Sequence, residues 1–484
     1  MNLLLLPREL IGVISNSLSY MDAISLGKTS KEFNTNLSKS DFGYRVFEAV
    51  DVKLLLNLTN ANANANANDY VYTINQYHYH YYHYHYLIGT FRHLLVTDLT
   101  DLYHVKSKLN HLWCSLTHLT FGNDFDDSVA NVELPPSLMY LSLGFNFNHS
   151  VDHLQLPPFL THLTFGRYFN KSVDHLELPL SLTHLTFGYY FNQSVHNLKL
   201  QHLSSLTHLL FGTCFNQSVD NLKLPLSLTH LTFSFDFNQS VDYLELPPFL
   251  THLTLGSLVN HPVDNLKLPS SLVHLDFGHE FNQSVSNLTF PPFLTHLTFG
   301  FCFDFAELVI TDIHIHLPPF LTHLTFVFYF NHSIDYLHLP PSLTHLTFGY
   351  MFNQSVYNVK LPPSLTHLTF GYMFNQSVSN LPLPLSLTHL TFGSRFNQSV
   401  AHLLLPESLT HLTFGDYFNQ SVDDLQLPVS LTHLTFGDCF NQSIDNLQLP
   451  SSLTHLTFGR EFYQSASVDY LSSSMPTLLI HICD

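Results

Sequence analysis

A repeated phrase governs most of this chain and limits what it can fold into. The phrase Ser-Leu-Thr-His-Leu-Thr-Phe-Gly returns, with small variations, every 22 residues, apart from two longer steps of 24 and 27 residues. Its histidine slot occurs sixteen times from His118 to His455, and Tyr140 occupies one of these slots. A unit of this length cannot enclose a core by itself, so the units are expected to stack as the coils of a solenoid.

The coil at residues 160–179 illustrates the pattern. Polar and apolar residues alternate from His162 to Phe165, which predicts a half-buried strand. Gly166 then permits a turn, and Pro179 ends the return segment. No stretch of useful length has a 3.6-residue apolar period, so the repeats are expected to be poor in helix. A second apolar set, compatible with another short strand, comprises Val173, Leu176 and Leu178.

These motifs resemble known repeats. Leu-x-x-Leu-x-Phe is similar to the leucine-rich repeat, and the longer phrase ending in Phe-Asn-Gln-Ser-Val resembles the FNIP repeat over about residues 112–470. The resemblance implies a leucine-rich-repeat-like, mainly β solenoid of about 16 coils that binds protein. The asparagine, as at Asn170, follows the strand's phenylalanine by five residues, later than in common leucine-rich repeats. Whether this asparagine forms an internal hydrogen-bonded ladder is therefore left open.

The first 45 residues have a different character. Apolar residues at helical spacing, with Asp22 as a cap and Thr29 paired with Glu32, predict three short helices. The segment resembles the F-box, which implies docking on the Skp-type adaptor of a cullin-RING ubiquitin ligase. The combination resembles F-box and FNIP-repeat proteins of amoebae and their giant viruses. The residues that the resemblance implies for adaptor binding are Leu6, Pro7, Glu9, Leu10, Ile14, Leu18, Leu26 and Phe33. The alternative is a helical cap on the solenoid.

Four segments are expected along the chain. Residues 1–45 form the F-box-like segment, and residues 46–90 form a linker that contains an Asn/Ala tract and a Tyr/His tract. Residues 91–470 form the solenoid, beginning with a degenerate first repeat, and residues 471–484 form a C-terminal cap. The coils are expected to differ from one another at Tyr140, at residues 257–262 and at the insertion 301–316.

Charge and cysteine usage restrict the partners and the compartment. The formal net charge is −19, and Lys and Arg form no run, which argues against nucleic-acid and anionic-membrane partners. The sequence contains no run of about 18 apolar residues, so no membrane span is expected. The five cysteines form no Cys-x-x-Cys pair, which predicts reduced core thiols in an intracellular protein, cytoplasmic or nuclear.

The histidines of the repeat form the most distinctive candidate surface. If leucine and phenylalanine point inward, the imidazoles line the outer face about 5 Å apart and are expected to respond to pH near 6. No cofactor, metal or catalytic residue is predicted, because a flat ladder offers no third or fourth metal ligand and no nucleophile motif occurs. A histidine-lined, pH- or metal-responsive surface is the weakest alternative. The possible target-binding ladder comprises His162, His184, His208, His230, His252, His274, His345, His367, His389, His411 and His433.

Overall fold

A computed structural model describes most of the repeat region. The described residues are 53–56, 71–75, 93–96, 99–108, 110–300, 316–326, 328–335, 337–463 and 477–483. The F-box-like segment 1–45 lies outside them, as do both low-complexity tracts and most of the insertion 301–316. The chain divides into two compact units, Met1–Phe215 and Asn216–Asp484. Each unit is described by itself.

The first unit contains eight described strands and two helices. The helices are α1 (Leu99–Lys108) and α2 (Asn110–Trp113). The strands are β1 (Lys53–Leu56), β2 (Val71–Asn75), β3 (His93–Val96), β4 (His118–Phe121), β5 (Tyr140–Ser142), β6 (His162–Thr164), β7 (His184–Thr186) and β8 (His208–Leu210).

The second unit contains twelve described strands. They are β9 (His230–Thr232), β10 (His252–Thr254), β11 (His274–Asp276), β12 (His296–Phe299), β13 (His323–Phe326), β14 (His345–Thr347), β15 (His367–Thr369), β16 (His389–Thr391), β17 (His411–Thr413), β18 (His433–Thr435), β19 (His455–Phe458) and β20 (Leu479–Ile482).

Each coil contributes one strand, and neighbouring strands pair in parallel without any shift of register. In the first unit His162 lies opposite His184, and in the second unit His345 lies opposite His367. The C-terminal strand β20 continues this pattern, with Leu479 opposite His455. Because a parallel pair needs a crossover, the rest of each coil serves as the connection between strands.

The interior of the solenoid is built from columns of identical side chains. Phe165 and Phe187 stack with ring centroids 5.4 Å apart, and Phe169 and Phe191 stack at 5.9 Å. Since each coil presents the same apolar surface to the next, stacking buries what one coil alone leaves exposed. The buried positions of one coil are Leu160, Leu163, Phe165, Phe169, Val173 and Leu176.

The second apolar set forms a turn, so its interpretation as a strand was wrong. The backbone N–H of Leu176 donates to the carbonyl of Val173 at 3.1 Å, and both side chains are buried. Leu178 is only half-buried. Two inward residues three positions apart match a tight turn better than the strict alternation of a strand.

Regions outside the regular coils differ from expectation. Helices α1 and α2 lie between β3 and β4, in a region expected to be poor in helix. Strands β1 and β2 lie within 46–90, the expected linker, and pair antiparallel, and β2 pairs in parallel with β3. Their sequences, Lys-Leu-Leu-Leu and Val-Tyr-Thr-Ile-Asn, are rich in aliphatic and β-branched residues, which favours strands.

The longer coil between His184 and His208 absorbs its extra residues in two short 3-10 turns. The turns span His196–Leu198 and Leu200–His202, and Lys199 between them has a φ of 53°. The left-handed backbone reverses the chain there, which returns it to register before the next strand.

The cysteine prediction was partly wrong. Cys114 is exposed, and Cys214, Cys439 and Cys483 are half-buried, so none of these described thiols lies in the core. None of these four described cysteines forms a disulfide bond. Within the described part of the chain, no helix is long and apolar enough to cross a membrane.

Candidate interaction surface of the repeats

The histidines stack face to face along the outer side of the strands. In the first unit the His162 and His184 ring centroids lie 4.1 Å apart, and in the second unit His345 and His367 are also 4.1 Å apart. Tyr140, expected to mark an individual coil, stacks on His118 at 4.0 Å and on His162 at 4.1 Å. The column therefore accepts a tyrosine ring in the place of a histidine.

Threonine hydroxyls fix the orientation of these rings. The Thr366 hydroxyl donates to the carbonyl of Thr344 at 3.0 Å and lies 2.9 Å from Nδ1 of His367. The same pair of contacts recurs at Thr183 with His184 and at other coils of both units. Since a hydroxyl has one proton and the carbonyl receives it, Nδ1–H of the ring must donate. Nε2 is then the acceptor nitrogen of such a ring.

The stack lowers the basicity of the rings. Burial, followed by repulsion from neighbouring histidines, lowers the pKa of His184, His296 and His367 to about 4. The prediction of a response near pH 6 was therefore wrong for these rings, because a stacked, half-buried imidazolium loses hydration and meets like charges. Burial also lowers the pKa of His162, His208, His274, His323, His345, His389, His411 and His433.

The described residues do not assemble a metal centre. No group of three or more His, Cys, Asp or Glu side chains among them is arranged to hold a metal ion. The stacked rings lie parallel to one another, so neighbouring Nε2 atoms do not converge on a common point as metal ligands must.

The asparagines do form an internal ladder, which resolves the question left open above. The backbone N–H of Asn192 donates to Oδ1 of Asn170 at 2.9 Å, and Nε2 of Gln193 donates to the same oxygen at 3.0 Å. Oδ1 of Asp126 accepts in the same way from the N–H of Asn148 at 3.1 Å, so a carboxylate can replace the amide as the acceptor in this ladder. The ladder satisfies backbone donors that the turn would otherwise leave unpaired.

The coil at residues 257–262, expected to be irregular, keeps this ladder. Oδ1 of Asn260 accepts from the N–H of Asn282 at 2.9 Å, and Val259 is buried in the place of the usual phenylalanine. His261 replaces the glutamine, with Nε2 3.0 Å from the carbonyl of Asn238.

Variation between coils also occurs at two rim positions, the residues between the column glycine and the next buried phenylalanine. In the first unit Arg167 lies over the ring of Tyr189, 4.5 Å from its centroid, and Tyr168 stacks on Tyr190 at 5.0 Å. In the second unit the rim carries the consecutive rings of Phe328, Tyr350 and Tyr372. Sequence reasoning missed this surface. The available signal was that these two positions vary within an otherwise uniform repeat.

One parallel strand per coil, buried leucine and phenylalanine columns and an internal asparagine ladder define a leucine-rich-repeat-like solenoid. Such a solenoid is suited to protein–protein interaction.

The model of one family, the FNIP Repeat, matches residues 147–190, 169–200, 237–280, 260–302, 313–351, 352–395, 396–439, 418–461 and 440–475. These matches cover more than half of the chain, and the chain belongs to the FNIP-repeat family. The predicted repeat identity is thereby confirmed.

Several solved structures resemble the chain. CroV588, described as a circular leucine-rich-repeat protein, is 34% identical, with 81% of this chain and 75% of that chain covered and a TM-score of 0.42. The internalin inlF from Listeria monocytogenes is 17% identical, with 60% and 83% covered and a TM-score of 0.40. TLR13, in its complex with ssRNA13, is 18% identical, with 81% and 57% covered and a TM-score of 0.41. No curated protein matches the chain.

Proposed function

We propose that this protein is the substrate-recognition subunit of a cullin-RING ubiquitin ligase. Residues 1–45 would dock the Skp-type adaptor, and the repeats would bind the target protein. The observation that carries the proposal is the presence, in one chain, of the F-box-like residues Leu6 to Phe33 and of a FNIP-repeat solenoid. In this arrangement the partners perform ubiquitin transfer, and the chain itself supplies no catalytic group.

The solenoid supports the second half of this proposal. Its coils are joined by in-register strands, stacked rings and the asparagine ladder, so each coil's outer side chains are held in place before a partner arrives. Preorganised side chains lose little conformational entropy on binding, which favours affinity. The histidine ladder remains a prediction as a target contact.

Co-purification with the adaptor tests the ligase assignment. The full chain and a Leu6→Ala/Pro7→Ala/Leu10→Ala variant are mixed with purified Skp adaptor from the host and isolated by a tag on the chain. The wild type should retain the adaptor and the variant should lose it, because its apolar docking residues are gone. A matched control, Leu180→Ala/Leu226→Ala, removes two solenoid leucines that are 63% and 70% exposed and should retain the adaptor.

A wild type that folds but retains no adaptor would contradict the ligase assignment. Circular dichroism establishes folding, since the parallel sheet gives a strand signal in all three proteins. The second candidate function, a protein-interaction scaffold unconnected with ubiquitin, would then be favoured. It requires the FNIP repeats but no adaptor docking by residues 1–45.

A further inference from the structure

An aromatic ridge of half-buried and exposed side chains runs along the rim of the second unit. We define the aromatic ridge as Phe328, Tyr329, Tyr350, Met351, Tyr372, Met373, Arg395 and Tyr417. The rings of Phe328 and Tyr350 stack at 4.3 Å, and those of Tyr350 and Tyr372 stack at 4.4 Å with only 2° between their planes. The guanidinium carbon of Arg395 lies 5.9 Å from the Tyr372 ring centroid and ends the stack.

The backbone beneath the ridge is hydrogen-bonded from coil to coil. The N–H of Met373 donates to the carbonyl of Tyr350 at 2.8 Å, and the N–H of Arg395 donates to that of Tyr372 at 2.8 Å. The spacing of the rings is thus fixed by the main chain as well as by their own contact. This rigidity reduces the entropy that the side chains would lose on binding.

The ridge has the composition of a protein-binding site. Tyr329 is 48% exposed and Tyr417 is 50% exposed, although both carry large apolar rings. Tyr, Phe, Met and Arg are the side chains enriched at protein interfaces, and Tyr and Arg are frequent among residues that dominate binding energy. Tyr350 stacks on Phe328 and on Tyr372 and is still 38% exposed, so a partner would meet the edge of its ring.

Negative charge continues the ridge toward the C-terminal coils. Asp416 and Asp438 stand at the first rim position of successive coils, and the next coil carries Arg460 at that position and Glu461 at the second. The backbone joins these rim positions, since the N–H of Cys439 donates to the carbonyl of Asp416 at 2.7 Å and the N–H of Glu461 donates to that of Asp438 at 2.9 Å. Burial, followed by the charges of these three carboxylates, raises the pKa of the Cys439 thiol.

The surrounding coils share this sign. From His323 to Tyr463 the chain has three basic residues, Lys360, Arg395 and Arg460. The eight acidic residues of the same stretch are Asp335, Glu407, Asp416, Asp423, Asp424, Asp438, Asp445 and Glu461. Such an excess attracts a positively charged partner and opposes a negatively charged one.

We infer that the aromatic ridge binds an extended segment of another protein, in which a group of aromatic or aliphatic side chains is flanked on one side by Lys or Arg. The apolar side chains would contact Phe328, Tyr350 and Tyr372, and the basic side chains would face Asp416, Asp438 and Glu461. Coils spaced by about 4.8 Å span about 29 Å from the first to the last of these, the length of about nine extended residues. This inference names the target chemistry for the repeats and rests on the interaction role proposed above.

Selection from a displayed library of random peptides, about twelve residues long, tests the inference on the full chain. The ridge variant is Tyr350→Ser/Tyr372→Ser, which keeps the coil geometry because Ser257 and Ser394 already occupy this position in other coils. The matched control is Tyr189→Ser, the same change at the same position in the first unit.

Enriched peptides should carry a group of apolar residues flanked on one side by Lys or Arg. In fluorescence polarisation they should bind the ridge variant about tenfold or more weakly than the wild type, and the control equally well. Asp416→Lys/Asp438→Lys should weaken binding and remove most of its dependence on salt, because the attracting charges are reversed.

Three results would overturn the inference. They are an acidic consensus, equal binding to wild type and ridge variant, and no enrichment from the library. None of them affects adaptor co-purification, which depends on residues 1–45, so failure of the ridge and failure of the ligase assignment are separable.

Discussion

Acid should destabilise this solenoid through its stacked histidines. His296 and His367 have a pKa of about 4 in the folded chain, against an ordinary value of 6.5. The unfolded chain therefore binds protons first as pH falls, so stability is full above pH 6.5 and declines from there toward pH 4. At pH 5 the difference between these two pKa values corresponds to a loss of about 2 kcal/mol of unfolding free energy per ring. Solvent screening at the exposed ring edge reduces this loss to about 1 kcal/mol.

The variant His296→Tyr/His367→Tyr isolates this effect. Tyr140 already occupies the same column and stacks on both neighbours, so tyrosine should keep the packing without titrating in this range. Urea unfolding followed by circular dichroism at pH 7 and pH 5 gives the loss of unfolding free energy for each protein. The variant should lose about 2 kcal/mol less than the wild type over this interval.

The reciprocal change provides the control. Tyr140→His adds a ring to the column between His118 and His162 and should make the first unit more sensitive to acid. Equal acid losses in wild type and double variant would refute the reasoning. So would NMR titrations of His296 and His367 with midpoints near 6.5.

Three further substitutions test the internal columns by thermal melting. The control for each is Leu385→Ala, which should leave the melting temperature unchanged because Leu385 is 84% exposed. Asn375→Ala leaves the N–H of Asn397 without its acceptor and should cost about 1–3 kcal/mol; an unchanged melting temperature would contradict the ladder. Gly371→Ala places a Cβ 1.6 Å from the backbone oxygen of the glycine one coil earlier, so the coils must separate and the melting temperature should fall. Phe374→Ala empties a fully buried ring position and should cost about 3–5 kcal/mol; a loss below 1 kcal/mol would show that the column collapses around the gap.

The strand, its register and its inward residues were predictable because the same signal is repeated in every coil. Alternation at His162–Phe165 predicted the strand, and the 22-residue period predicted which residues lie opposite one another. The return segment was not predictable in this way. Val173 and Leu176 are apolar in either a strand or a turn, and only the path of the chain between coils decides which one forms.

The candidate site was harder to predict than the fold. The outward position of the histidines followed from alternation, but their pKa values depend on ring contact and on burial, which spacing alone does not determine. The aromatic ridge was not predicted because the repeated residues dominate the sequence pattern and the rim residues do not repeat. Side chains that repeat, such as those of Asn170 and Phe169, support the coils, whereas the rim residues differ from coil to coil.

The asparagine ladder has a consequence for how such chains change over generations. The side chain of Asn375 accepts from the backbone N–H of Asn397 in the following coil, and its own backbone N–H donates to Oδ1 of Asn353 in the preceding coil. Copying or deleting one whole coil therefore leaves every remaining bond intact, so gene duplication can lengthen the protein without a new folding problem. Each copied coil brings its own rim residues, which can then mutate independently of the originals. A change in the number of coils therefore changes the set of side chains on the rim.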